Sequence, residues 1–96
     1  MRRDEVVKLL AEHRQDLGQF GVKSLALFGS VGRGESRPDS DVDFLVEFEG
    51  AATFDRYMEL RFFLEDLLGA PVDLVTRKAL KPRLKPYVER EAEYVA

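Results

Sequence analysis

The 96-residue sequence contains no cysteine. Disulfides and thiolate metal sites are therefore excluded. Histidine occurs once, at position 13. It lies in a helical pattern with no second nitrogen ligand close in sequence, so a zinc site built on it is not expected. No apolar run is long enough for a signal peptide or a membrane span, which points to the cytoplasm. A strong excess of positive charge is missing as well: the formal net charge is -3. A general grip on a nucleic-acid backbone needs a basic face, so direct DNA binding is not expected. Internal repeats and low-complexity segments are absent too. What is present is an ordinary globular balance, 45% hydrophobic and 34% charged. The length suits one domain over 1–96 with a modest core.

Along the chain, helical and extended patterns alternate. Asp4 to Leu17 reads as a helix, with Val6, Val7, Leu10, His13 and Leu17 near one face and Gly18 as its stop. "VKSLALF" reads as a buried strand ending at Gly29. Residues 29–40 hold three glycines and Pro38, a turn composition. "DVDFLVEF", from Asp41 to Phe48, is a second strand. Thr53 can cap a helix running to Leu68, ended by Gly69 and Pro71. "PVDLV", Pro71 to Val75, is a short third strand. A basic, proline-broken stretch then leads to a last helical segment, "PYVEREAEYV", that runs into a short terminal piece. The alternation predicts an α/β (α+β) fold, a small mixed sheet flanked by helices.

The stretch "FGSVGRGESRPDSDVDFLV" carries the chemistry. Residues two apart in a strand face the same side, so Asp41 and Asp43 share a face while Val42, Phe44, Val46 and Phe48 share the other. Two residues span roughly 6.5–7 Å. Carboxylates that close repel unless protonated or bridged by a cation, and a hard divalent ion such as magnesium suits oxygen ligands. Asp73, flanked by apolar residues, reads as buried, and a buried carboxylate needs a partner. If its strand lies beside the Asp41 strand, the three carboxylates can hold two metal ions for in-line phosphoryl transfer. Other readings fail on single residues. "GSVGRGES" nearly matches a P-loop, but Glu35 stands where lysine would be needed. An EF-hand loop starting at Asp39 would require glycine at Phe44 and glutamate at Gly50. Asp-x-Asp also occurs in sugar-nucleotide glycosyltransferases, whose domains are larger than this chain.

An apolar residue followed by Gly29 and Ser30, about ten residues, then Asp41 and Asp43, with Asp73 on a later strand, resembles the DNA polymerase beta-like nucleotidyltransferase superfamily. The size and wording look like its minimal prokaryotic members, over nearly the whole chain. The resemblance implies the polymerase beta-like nucleotidyltransferase fold. It implies that Asp41 and Asp43 bind two Mg2+ ions (Mn2+ as a substitute) carrying the nucleoside triphosphate. Asp73 would bind the catalytic ion and deprotonate the attacking hydroxyl. Gly29 and Ser30 would hold phosphates, and Arg33 would reach a triphosphate oxygen or pair with Glu35. ATP would be the substrate, with AMP transferred and pyrophosphate released. Minimal members commonly act as antitoxins that partner a helical HEPN-domain toxin, some adenylylating a toxin tyrosine. A non-catalytic module that neutralises its partner by contact, and a small-molecule (antibiotic) nucleotidyltransferase, are the alternatives. The wide apolar arc of the Phe54–Leu68 helix fits either a core helix or a partner interface. The basic run Arg77, Lys78, Lys81, Arg83 and Lys85 is either solvated or flanks the nucleotide or an acidic partner.

Overall fold

The computed structural model describes residues 2–29 and 41–95. Ser30, Arg33 and most of the predicted turn lie outside them. The described elements are α1 (Arg3–Glu12), α2 (Arg14–Gln19), β1 (Val22–Phe28), β2 (Val42–Phe48), α3 (Phe54–Leu68), β3 (Val72–Thr76), a 3-10 turn (Arg77–Ala79), α4 (Lys85–Glu91) and β4 (Glu93–Tyr94).

The strands form one mixed sheet in the order β3-β2-β1-β4. β1 pairs antiparallel with β2 and with β4, whereas β2 and β3 run parallel. A parallel neighbour needs a crossover, and α3 supplies it. Thr53 caps α3 by accepting a hydrogen bond from the Arg56 amide at 3.2 Å. At the other end Gly69 takes a left-handed conformation, φ 65°, that terminates the helix. The predicted bounds of this helix therefore hold at both caps.

One sheet face carries Leu25 and Leu27 of β1, Val42, Phe44 and Val46 of β2, and Val72 and Leu74 of β3. Leu60, Leu64 and Leu68 of α3 pack with them, as do Val6 and Leu10 of α1 and Leu17 of α2. This is the core, and no charged side chain is buried among the described residues. α3 also shields the free edge of β3. The Tyr57 hydroxyl donates to the Leu74 carbonyl at 2.6 Å, and the Val72 amide donates to the Glu65 carboxylate at 3.1 Å. An edge strand's outward backbone groups would otherwise be open to another chain.

Two expectations are corrected. The predicted Asp4–Leu17 helix is two helices, broken at His13 (φ -111°, ψ 23°). There the backbone tightens, the His13 amide bonding to the Leu10 carbonyl, and the imidazole Nδ1 lies 2.9 Å from Asp16 Oδ2. The imidazole also meets the Phe63 ring edge-on, with centroids 6.2 Å apart. Leu10 before the break and Leu17 after it both reach the core. The second correction concerns Asp73, which is exposed and not buried. Strand alternation explains it: Val72 and Leu74 face the core, and the residue between them must face away.

Candidate active site

On the outer face of the sheet, three strands bring one row together. Phe28 of β1 pairs with Asp43 of β2, and Asp43 pairs with Asp73 of β3. Neighbouring strands are about 4.8 Å apart, so the two aspartates stand side by side. Asp43 is half-buried and Asp73 exposed. Asp41 directly precedes β2 and is exposed at the same end of the strand. Both parallel strands thus begin at the carboxylates, which the sequence placed on separate segments about thirty residues apart.

Gly29 closes the corner. It follows β1 directly and has φ +74°, a conformation that side chains rarely tolerate. A Cβ there would overlap the Asp43 carboxylate, with the Asp43 Cγ only 3.0 Å away. The bare glycine backbone is therefore what allows the Asp43 carboxylate to occupy its place. This explains why an apolar strand ends in glycine immediately before the Ser30 segment.

The donor set is oxygen-only. Like charges in register on adjacent strands repel, and a hard divalent cation between them relieves that repulsion. The arrangement of Asp43 and Asp73 against an open glycine backbone fits such an ion. Among the described residues, however, no three acidic, histidine or cysteine side chains already converge as a ready-made metal cage. Asp41, Asp43 and Asp73 share one corner of the sheet.

His13 lies at the break between α1 and α2, paired with Asp16 and meeting the Phe63 ring of α3. Sequence reasoning missed a second feature, at the opposite end of the parallel strands. A recess of about 310 Å³ lies there, lined by Val46, Phe48, Thr76 and the cations Arg77, Lys78 and Lys85. Arg77 donates to Glu89 Oε1 at 2.9 Å and to the Tyr94 hydroxyl at 2.5 Å, which ties α4 and β4 to the end of β3. The basic run gave a partial signal, but its contacts are long-range.

Residues 7–95 match the family model described as a nucleotidyltransferase domain. The protein adenylyltransferase MntA of Thermococcus cleftensis is 43% identical over 93 residues, 96% of this chain and 94% of that relative. A solved structure described as a minimal nucleotidyltransferase superposes with a TM-score of 0.85 at 39% identity, covering 97% of this chain and 95% of the other. A solved complex of a tri-AMPylated HEPN toxin of Shewanella oneidensis with an MNT antitoxin gives a TM-score of 0.67 at 20% identity, over 94% of this chain and 71% of that chain. At that identity the likeness speaks to the fold.

Proposed function

This chain belongs to the nucleotidyltransferase domain family, and from that premise we propose that it is a single-domain protein adenylyltransferase that moves AMP from ATP to a hydroxyl of a helical partner protein. The observation that carries the reading is the in-register Asp43–Asp73 pair backed by the left-handed Gly29. The 43% identical relative named as a protein adenylyltransferase supports the protein acceptor. The neighbouring fold solved with a tri-AMPylated HEPN toxin supports a HEPN protein as that acceptor, with this chain as its antitoxin. A cytoplasmic location belongs to this reading, because the proposed substrate ATP is supplied there.

The roles follow from position. Asp41 and Asp43 would hold divalent metal, Mg2+ with Mn2+ as a substitute, and with it the triphosphate. When bound, the metal would neutralise phosphate charge and polarise the reacting phosphorus. Asp43, braced against the Gly29 backbone, is fixed in direction. Gly29 lets phosphate approach the chain closely, and Ser30 and Arg33 would add contacts to the phosphate oxygens. Asp73 is exposed at the edge of the row, so an incoming hydroxyl can reach it, and it takes the proton of that hydroxyl. The acceptor oxygen forms a bond to the α-phosphorus, the bond from that phosphorus to the bridging oxygen breaks, and pyrophosphate leaves. Positioning and charge account for most of the acceleration.

The test uses ATP labelled separately at the α and γ phosphates, with Mg2+ and a HEPN-domain protein co-expressed with this chain. Label from the α position should appear on the partner, and label from the γ position should not. Transfer of γ label would identify a kinase and refute the reading.

A further inference from the structure

The charge of this acidic protein is strongly polarised. Residues 77–90 contain six cations, Arg77, Lys78, Lys81, Arg83, Lys85 and Arg90, and one carboxylate, Glu89. The structure folds part of this run over the C-terminal ends of β2 and β3, where Arg77, Lys78 and Lys85 line the recess of about 310 Å³. A second, more open depression adjoins it, lined by Ala51, Phe54, Tyr57 and Val75. The two share Ala52, Thr76 and Lys78 and together make one groove, with Lys78 and Lys85 beside Glu47 and the Glu89-paired Arg77 at one end and apolar residues at the other. At the apolar end Phe54 is 76% exposed. The groove begins at Val46, about 10 Å along β2 from Asp43, three residues at strand rise.

We propose that this groove is the docking surface for the acceptor protein, and that it receives an acidic segment anchored by an apolar side chain. The inference rests on the proposed adenylyl transfer and adds where the acceptor is held. Charge complementarity selects the occupant. A cationic patch on a protein of net charge -3 attracts an acidic surface. The apolar floor of Val46, Phe48 and Ala52 disfavours a nucleic-acid backbone, which needs an uninterrupted cationic track. An exposed aromatic beside a partly filled depression has the character of an interface anchor. The separation from the carboxylates also fits a macromolecule: a protein seated in the groove can reach the Asp43–Asp73 corner with a distant hydroxyl, and AMP transfer does not compete with its seat.

Binding and chemistry are read separately. For binding, Asp43→Asn enzyme is titrated with the same purified HEPN-domain protein, with and without Lys78→Glu/Lys85→Glu. The charge reversal should raise Kd by about tenfold or more and remove most of its salt dependence, because both residues face the acidic segment. Phe54→Ala should weaken binding with the salt dependence kept. A control reversal on the exposed residues Lys8 and Lys23, Lys8→Glu/Lys23→Glu, should leave Kd nearly unchanged. In transfer assays on otherwise wild-type enzyme, Lys78→Glu/Lys85→Glu should raise the KM for acceptor and leave kcat and the KM for ATP as they were. Unaltered binding after the groove reversal, equal weakening by the control reversal, or displacement of the acceptor by an oligouridine RNA would overturn the docking proposal. Intact docking with no label transferred would instead refute the adenylyl-transfer reading and leave the groove assignment standing.

Discussion

Gly29 and Gly18 give the sharpest contrast between single residues. At Gly29, alanine would meet the Asp43 carboxylate and would have to adopt φ +74°. The strain costs about 1–3 kcal/mol, and the displaced carboxylate should take transfer with it. At Gly18, inside α2, an added Cβ meets nothing within 4 Å. Gly18→Ala should therefore be neutral or stabilise by about 0.5–1 kcal/mol, since glycine is the poorer helix former. Urea denaturation of both variants, with transfer measured on the folded fraction, checks the pair. A Gly29→Ala enzyme with wild-type activity would show that Asp43 does not need its present position. Asp73 has a different signature. Because it is exposed at the edge of the row, Asp73→Ala should barely change stability. It should slow the chemical step at saturating ATP by more than it weakens ATP binding, and single-turnover kinetics separates the two. An unchanged single-turnover rate would remove Asp73 from the role of base.

Among the elements, α3 does most to set the site, because it carries the crossover that makes β3 parallel to β2. Its buried stripe is Leu60, Leu64 and Leu68. Leu64→Ala should cost about 2–5 kcal/mol in chemical denaturation. Tyr57→Phe keeps the ring and removes only the hydrogen bond to the Leu74 carbonyl, so about 0.5–1.5 kcal/mol is expected. A Tyr57→Phe protein as stable as wild type would mean that water replaces that bond without penalty. This element was readable in the sequence because both of its caps are local signals, Thr53 before it and Gly69 after it. β1 and β2 were readable for a similar reason, since apolar residues run between turn residues. The break at His13 was not. The apolar period continues smoothly from Val6 to Leu17, and only packing against Phe63 and Phe20 shows that two helices do the work of one. The burial of Asp73 was misjudged on the same grounds: apolar neighbours in sequence suggest a buried position, but in a strand they occupy the opposite face. From the sequence the apolar arc of α3 fits core and interface alike, and the structure divides it. Leu60, Leu64 and Leu68 are in the core, Phe63 packs against Phe20 with ring centroids 5.0 Å apart, and Phe62 is 57% exposed.

At the scale of the whole molecule, Asp41, Asp43 and Asp73 lie at one end of the parallel pair and Arg77, Lys78 and Lys85 at the other. The sequence displayed both charge clusters but not their separation along one strand, which is set by the β2–β3 register and by the Arg77 tie to Glu89 and Tyr94. This polarity, like the oxygen-only donor set at the carboxylate end, has consequences for metal. Removing divalent ions with a chelator should abolish transfer and leave the fold intact, because the buried core of the described residues is apolar. Far-ultraviolet circular dichroism should be unchanged, and Mg2+ or Mn2+ should restore activity. Unfolding on chelation would point to a structural ion and contradict the account.

The central claim is that the Asp41, Asp43 and Asp73 corner transfers AMP to a protein hydroxyl. Intact mass spectrometry of the HEPN protein co-expressed with this chain tests it most directly. With wild-type enzyme the partner should gain the mass of one or more adenylates, and with Asp43→Asn, whose fold is retained, it should gain none. An unmodified partner in both cultures, or an adduct that persists with Asp43→Asn, would contradict it.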